Sequence, residues 1–151
     1  MNSNDFVSEL HKCSSDKASM AHLRRLFETE HHQGLALLAR FGVPVSDPVA
    51  SLPFKALAYV FAKHGGSSAP GNLGRSLKGI RSVGVETNPF DKRFDAMVSC
   101  KTLGIMVRTH LIRAVQQLPS EQGINYPMLL DDLQHWSPSV VNRWIEGYYT
   151  P

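Results

Sequence analysis

The residues of this chain with the clearest chemical meaning are lysines and arginines that concentrate in its middle third. From residue 55 to residue 113 the sequence holds ten Lys/Arg and three acidic residues, a local charge of +7, whereas the whole chain nets +3. Their ammonium and guanidinium groups bind phosphate oxygens, and such local concentration indicates a nucleic-acid-binding surface. The candidate nucleic-acid-binding residues are Arg24, Lys55, Lys63, Arg75, Lys78, Arg81, Lys92, Arg93, Lys101, Arg108 and Arg113.

Spacing along the chain predicts that several of these cations lie side by side. Arg75, Lys78 and Arg81 recur every third residue, so on a helix they are neighbours. Lys101 and Arg108 are seven residues apart, which gives them nearly the same bearing on a continuous α-helix. The pattern therefore predicts a basic stripe carried by helices.

Two plainer interpretations of the same charges stay open. Charge runs are usually just solvent-facing, so the cations also fit an ordinary solvated surface. Arg93 has Asp95 two residues away and fits an intramolecular ion pair equally well. Arg24 and Arg25 are adjacent and diverge by about 100° on a helix, so one of them is expected to be structural.

Catalytic and metal-binding chemistry is not indicated. The seven histidines do not follow the spacing of a zinc module. Asp91 and Asp95 share a helix face, as in a metal-dependent nuclease, but Asp91 is explained by a helix start and no third acid or base is placed nearby. Cys13 and Cys100 are far apart and form no CxxC pair, which is typical of a reducing compartment. We therefore expect no catalytic residue, no metal and no cofactor.

Aromatic residues near the end of the chain allow two interpretations. Trp136, Trp144, Tyr148 and Tyr149 have the π surfaces on which single-stranded bases stack. Trp136 and Trp144 also lie on either side of a Ser-Pro break, a position that joins the last two helices. Packing in the core or at a protein interface is the favoured interpretation.

The elements that must position these residues are predicted to be helices. Hydrophobic residues recur every three or four positions, and breaks fall at Gly, Pro, Asn and Ser, which predicts an all-α bundle of about eight helices. A capping residue before a proline marks helix starts at Pro48, Pro89 and Pro138. Pro53 predicts either a kink or a new helix. The other helices are expected over residues 4–12, 16–27, 32–41, 73–81, 101–118 and 127–136.

Length and composition limit the class of protein. A chain of 151 residues, 42% hydrophobic and 19% charged, is long enough for one globular domain, so wholesale disorder is excluded. A division into sub-bundles 1–84 and 85–151 stays open, with residues 82–87 as a turn. The first residues lack the pattern of a secretory signal, and no apolar run approaches the ~20 residues of a membrane helix. We expect a soluble cytoplasmic protein.

Several segments, taken in order, resemble a known family. The segments that carry the resemblance are Ala21–Leu26, Asn72–Leu77, Lys92–Met97, Leu111–Arg113, Ile124–Trp136 and Arg143-Trp144. They are similar to the CasB family, the small subunit of the type I-E CRISPR surveillance complex Cascade, or to a closely related Cascade small subunit. The resemblance extends from about residue 23 to residue 149.

The resemblance implies a non-enzymatic helical protein of antiviral defence. It implies assembly with a second copy of itself, with the large subunit and with backbone subunits. It also implies contact with CRISPR RNA and target DNA, and help in holding the displaced non-target strand of the R-loop. A subunit that accepts any sequence should use Lys and Arg toward phosphates rather than toward base edges.

Two functions of other classes remain as alternatives. A scaffold or adaptor with incidental charge would bind single strands weakly and almost independently of salt. A free-standing helical DNA-binding regulator would prefer one duplex site over random DNA by ~10³ or more.

Overall fold

The computed structural model describes residues 1–29, 31–81 and 88–151. Every regular element in these ranges is helical, so the predicted all-α fold is confirmed. The helices are α1 (Ser3–Lys12), α2 (Lys17–Arg24), α3 (His32–Arg40), α4 (Pro48–His64), α5 (Leu73–Leu77), α6 (Pro89–Val98), α7 (Leu103–Ile105), α8 (Ile112–Gln116), α9 (Tyr126–Gln134) and α10 (Pro138–Tyr149). A 3₁₀ turn, Lys78–Ile80, follows α5, and a π-helical segment, Met106–Leu111, connects α7 to α8. Within the described ranges, no helix combines the length and the apolar character needed to cross a membrane.

The three helix starts predicted from a cap and a proline are confirmed. Helices α4, α6 and α10 begin at Pro48, Pro89 and Pro138. Before α4, the Asp47 carboxylate accepts hydrogen bonds from two backbone N–H groups of the first turn, each 3.1 Å long. These N–H groups have no partner inside the helix, so the cap satisfies them and fixes where the helix begins.

Two predicted boundaries differ from the structure. A new helix does not begin at Pro53, because α4 runs unbroken from Pro48 to His64 with Pro53 inside it and buried. The proline removes one backbone donor, and burial of its ring with Phe54 and Leu57 offsets that loss. The predicted helix 101–118 begins at residue 103, where Thr102 accepts a hydrogen bond from the Ile105 backbone N–H.

The chain forms two compact units. Unit 1 comprises Met1–Gly66 and Tyr126–Gln134, and unit 2 comprises Ser67–Asn125 and His135–Pro151. The sub-bundle boundary that the sequence left open, between residues 84 and 85, lies outside the described residues, as does the expected turn at 82–87.

Unit 1 is built around α4. This helix packs against α2 and α9, and α1 also packs against α9. The Phe6 and Phe54 rings meet edge to face with centroids 5.0 Å apart. The Tyr126 hydroxyl donates to the Gly65 carbonyl oxygen at the end of α4, which gives this buried hydroxyl its partner.

A histidine pair joins α2 to α3 within unit 1. His31 Nε2 and His22 Nδ1 lie 3.3 Å apart, so one of these nitrogens must accept a hydrogen bond from the other. Burial lowers the pKa of His31, Arg25 and His22 lower it further, and Glu28 opposes them, while His32 adds a small lowering. Protonation of both rings would therefore remove this contact between the helices.

We expect acidification to destabilise the protein partly through His31. The pKa of His31 is lower in the folded than in the unfolded chain. Its contribution to the free energy of unfolding is therefore complete above pH ~6.5, the ordinary histidine pKa, and is lost as the pH falls through the folded-state pKa. Thermal unfolding at pH ~7.5 and ~5.5 measures this effect. His31→Gln, which keeps a hydrogen-bonding side chain and does not titrate, should show a smaller decrease in Tm. An equal decrease in both proteins would exclude His31 as a source.

Unit 2 is held together by α10. This helix packs against α5 and α6, and its Trp144 and Tyr148 side chains are fully buried. Gly74 of α5 lies directly against the Trp144 backbone, where a Cβ atom would overlap the carbonyl group. This close approach fixes α5 against α10 and so positions Arg75 and Lys78 beside α10.

Candidate nucleic-acid interface

Three of the eleven predicted cations belong to unit 1 and contact groups of that unit. Arg24 Nε donates to the Ala62 carbonyl oxygen at 2.9 Å. The Lys55 ammonium lies 5.4 Å from the centroid of the Phe27 ring, and the Lys63 ammonium lies 5.6 Å from the centroid of the Tyr59 ring. Cation–π contacts of this kind stabilise the fold by about 0.5–1 kcal/mol at exposed sites. We therefore assign these cations a role in unit 1 itself.

Arg81 of unit 2 is occupied by an internal network. Its guanidinium donates to both carboxylate oxygens of Asp91, at 3.1 and 3.3 Å, and the two side chains are 27% and 24% exposed. The same guanidinium lies 5.2 and 5.3 Å from the ring centroids of Tyr148 and Tyr149. The predicted grouping of Arg81 with Arg75 and Lys78 does not form, because α5 ends at Leu77 and Arg81 has extended backbone.

Replacement of Arg81 by Met should therefore affect stability and leave nucleic-acid binding intact. The change removes one partly buried ion pair and the contacts with two rings, at a cost of about 1–2 kcal/mol in the free energy of unfolding. Urea denaturation and single-strand affinity are measured on the same sample, with exposed Arg40→Met as the control. A large loss of affinity with unchanged stability would assign Arg81 to the interface instead.

Asp91 and Asp95 are hydrogen-bond acceptors for tyrosines. The Tyr148 hydroxyl donates to Asp91 at 2.6 Å, and the Tyr149 hydroxyl donates to Asp95 at 2.7 Å. Burial, followed by the hydrogen bond to Asp95, raises the pKa of Tyr149 to about 12. Neither an ion pair between Arg93 and Asp95 nor a group of three metal-ligating side chains occurs in the described ranges. The carboxylates thus link α6 to α10.

The pKa values of both cysteine thiols are raised, as expected for cysteines that pack against other residues rather than react. Burial raises the pKa of Cys100, and burial is also the largest cause of the raised pKa of Cys13. Nucleophilic cysteines need the opposite shift, toward a thiolate. Both residues are half-buried free thiols.

The clearest group of cations lies between α6 and the helix that contains the π segment. Lys92 and Arg93 come from α6 and Arg113 comes from α8, and His110 of the π segment lines the same cavity; we call this set of three cations and one histidine the cationic cradle. They surround a surface cavity of about 270 Å³ whose floor includes Ala96. Among the described residues its lining contains no acidic side chain, and Lys92, Arg93 and Arg113 are exposed. No ion pair involves these three cations within the described residues.

Helix packing explains why the cradle forms. The buried side of α6, which includes Phe94 and Met97, packs against the π segment. Lys92, Arg93 and Ala96 are exposed and lie at the edge of this contact, where they line a cavity with Thr109 and His110. The small side chains of Ala96 and Ala114 leave space between the helices, so the longer cations border a cavity.

The π segment sets the direction of Arg113. Hydrogen bonds in a π turn span five residues rather than four, so residues beyond it are rotated by roughly 100°, one residue's step, from their direction in an uninterrupted α-helix. Arg113 follows Met106–Leu111 and lines the same cavity as Lys92 and Arg93. π segments often mark functional sites.

The predicted pairing of Lys101 with Arg108 is wrong. Lys101 precedes the N-cap Thr102 and lies outside the helix, whereas Arg108 is an exposed residue of the π segment. Lys101 instead lines a separate cavity with Trp136. The prediction required a regular α-helix from residue 101 onward, and neither the start nor the regularity is present.

A second basic cavity of unit 2 lies between α5 and α10 and measures about 630 Å³. It is lined by Arg75, Lys78 and Arg143, together with one acid, Glu146. Lys78 Nζ donates to the Thr150 carbonyl oxygen at 2.5 Å. Arg143 was not among the predicted cations, because the sequence around it is mildly acidic and only the fold brings it beside α5.

The aromatic residues divide into two groups. Trp144 and Tyr148 are fully buried, so the packing interpretation is confirmed for them. Trp136 is half-buried, and Tyr149 is 38% exposed. Only the latter two retain ring surface that a ligand can reach.

Comparison with known proteins gives one family and two solved structures. A family model described as CRISPR-associated protein Cse2 matches residues 19–149, a range that contains every predicted cation. The crystal structure of CasB from Thermus thermophilus has a TM-score of 0.75 and 25% identity and covers 100% of both chains. A second crystal structure from Thermus thermophilus, of a CRISPR-associated protein of the Cse2 family, has a TM-score of 0.77 and 24% identity, also over 100% of both chains. Among curated proteins, none matches the chain.

Proposed function

Because the chain belongs to the Cse2 family of CRISPR-associated proteins, we propose that it is the small subunit of a Cascade complex and holds nucleic acid by its phosphates. The resemblance to the CasB family is confirmed by the same match and by the CasB structure. In this role the chain contacts CRISPR RNA and target DNA and stabilises the displaced strand of the R-loop. Its protein partners are the large subunit, backbone subunits and a second copy of itself.

The observation that carries this proposal is the cationic cradle. Three exposed cations border one cavity, and in the part of the chain that the structure describes no acidic side chain joins its lining, so each cation can meet a phosphate oxygen. Arg binds phosphate through two parallel N–H donors, and Lys binds it as a compact charge. A cavity of about 270 Å³ between two helices accommodates a backbone phosphate group with its sugar.

The chemistry of the cradle suits binding that does not depend on sequence. Specific reading of duplex DNA requires a helix or a β-ribbon to present side chains to base edges in a groove. The cradle instead presents positive charge from the sides of two helices. In CRISPR complexes the guide RNA reads sequence by base pairing, so a subunit that binds only phosphates is sufficient.

A non-catalytic role agrees with the side chains of unit 2. Asp91 and Asp95 accept hydrogen bonds from tyrosines, and Cys100 has a raised pKa. These residues were the nearest to a catalytic constellation that the sequence offered. Their contacts assign them to the structure of α6 and its neighbours.

The experiment that tests the role uses the assembled complex. Cascade is reconstituted with either the native chain or a variant in which Lys92, Arg93 and Arg113 are glutamates, and the dissociation rate of a matched double-stranded target is measured. We expect faster dissociation from the variant complex while its subunit composition is unchanged. Normal target retention at full incorporation of the variant would exclude the cradle from the role.

A further inference from the structure

Trp136 and Lys101 line a cavity of about 360 Å³ in unit 2 that phosphate binding alone does not explain. Its walls come from the end of α6, the turn before α7 and the start of α10. Val98, Pro138 and Val141 supply apolar surface, and Asn142 supplies a hydrogen-bonding amide. We call this cavity the Trp136 pocket.

The Trp136 ring is fixed in place. Its indole Nε1–H donates to the Cys100 carbonyl oxygen at 3.3 Å. The ring also meets Trp144 edge to face, with centroids 5.0 Å apart, and Trp144 is fully buried. Because its one polar atom is already bonded, Trp136 offers a ligand only π surface, and its orientation needs no ordering on binding.

The charge of the pocket favours an anionic partner. Lys101 is exposed and lines the pocket, and no acidic side chain is found among the described residues of the lining. Within the described residues, Lys101 makes no ion pair. A cation beside a rigid aromatic ring is the combination with which proteins bind single strands, since the ring stacks on a base and the cation contacts its phosphate.

The Trp136 pocket and the cationic cradle are separate cavities, and α6 contributes residues to both of them. Arg93 of the cradle and Ser99 of the pocket are six residues apart, which corresponds to about 9 Å along the helix direction. A single strand that follows the length of α6 would have to span only a few nucleotides to reach both cavities.

We propose that the Trp136 pocket binds one unpaired base of a single strand, stacked on Trp136, with a neighbouring phosphate at Lys101. The inference rests on the proposed function and adds a base-dependent but sequence-tolerant contact to it. Every base has a π face, so the pocket should bind a nucleotide that carries an unpaired base more tightly than an abasic one. It should not distinguish which base is present.

The test compares two single strands of equal length and charge, oligothymidylate and an abasic oligomer of the same backbone. Stacking of one base changes affinity by about tenfold. We expect the native chain to bind oligothymidylate about tenfold more tightly than the abasic strand. Trp136→Leu should abolish this preference and leave abasic binding unchanged, whereas Trp136→Phe should keep part of it. Equal affinity of the native chain for both strands would overturn the proposal.

Tryptophan fluorescence provides a second measurement if Trp136→Leu fails to fold. Trp144 is fully buried, so quenching by a stacked base reports on Trp136. Oligothymidylate should quench the native chain, and the abasic strand should not. If a folded Trp136→Leu variant still prefers oligothymidylate over the abasic strand, the proposal is also refuted. The pocket would then be assigned to binding a segment of a partner protein. If the native chain does not bind the abasic strand at all, phosphate binding by the cradle is refuted instead.

Discussion

Replacement of Lys92, Arg93 and Arg113 together by glutamate should lower the affinity of the isolated chain for a single strand by about 100-fold at ~0.1 M salt. Each phosphate contact on a single strand contributes a salt exponent of about 0.7, so three lost contacts account for a factor of this size at that concentration. The three side chains are exposed, so the fold should tolerate the change. Fluorescence anisotropy with a labelled single strand measures the affinity, and circular dichroism checks the fold.

The matched control changes the net charge by the same amount elsewhere. Lys12, Lys17 and Arg40 are exposed cations of unit 1 that belong to neither the cradle nor the predicted set. Their combined replacement by glutamate should lower affinity by less than about tenfold, through long-range electrostatics alone. Equal losses in the two triple variants would favour a scaffold whose charge is incidental.

Gly74→Ala should be the most destabilising single substitution considered for the fold of unit 2. In an ordinary helix interior the change from Gly to Ala stabilises by up to about 1 kcal/mol. Here the new Cβ would overlap the Trp144 carbonyl group, and a backbone atom cannot rotate away. Separation of α5 from α10 should cost about 3 kcal/mol or more in the free energy of unfolding, measured by urea denaturation.

Gly79→Ala is the control for this prediction. A Cβ at Gly79 would lie 2.7 Å from Gln122 Oε1, the mobile end of a long side chain that can move aside. The expected change in the free energy of unfolding is within about 0.5 kcal/mol. Similar values for both variants would show that the contact between Gly74 and α10 does not limit stability.

The helix boundaries that depend on local chemistry were predictable from the sequence. Asp47, Asn88 and Ser137 each precede a proline at the start of a helix, and the Asp47 and Ser137 side chains also accept hydrogen bonds from the first turn. Capping and the fixed φ of proline act within a few residues. Gly42, two residues after the end of α3, has a φ of +95°, the left-handed conformation that favours glycine after a helix. Such signals do not require knowledge of the tertiary fold.

The irregular helix between α7 and α8 was not predictable. Its hydrophobic spacing fits an α-helix, yet Met106–Leu111 is π-helical where it packs against α6. The change of direction brings Arg113 into the cradle and removes the expected stripe from Lys101 to Arg108. A periodicity argument cannot detect one extra residue in a turn.

The sequence identifies candidate cations, but it does not show which of them the fold brings together. Sequence cannot distinguish Arg81, which pairs with Asp91 ten residues away, from Arg93, which lies near Asp95 and, in the described part of the chain, forms no ion pair with it. It also missed Arg143, which enters a basic cavity only because α10 packs against α5. The distinction between available and occupied cations depends on tertiary contacts.

The salt dependence of single-strand binding tests the central claim most directly. The logarithm of the binding constant is measured against the logarithm of salt concentration for the native chain and for the triple glutamate variant of Lys92, Arg93 and Arg113. If the cradle binds three phosphates, the native slope should be steeper than the variant slope by about 2, and equal for strands of scrambled sequence. A native slope near zero, or slopes that do not differ between the two proteins, would contradict phosphate binding by the cradle.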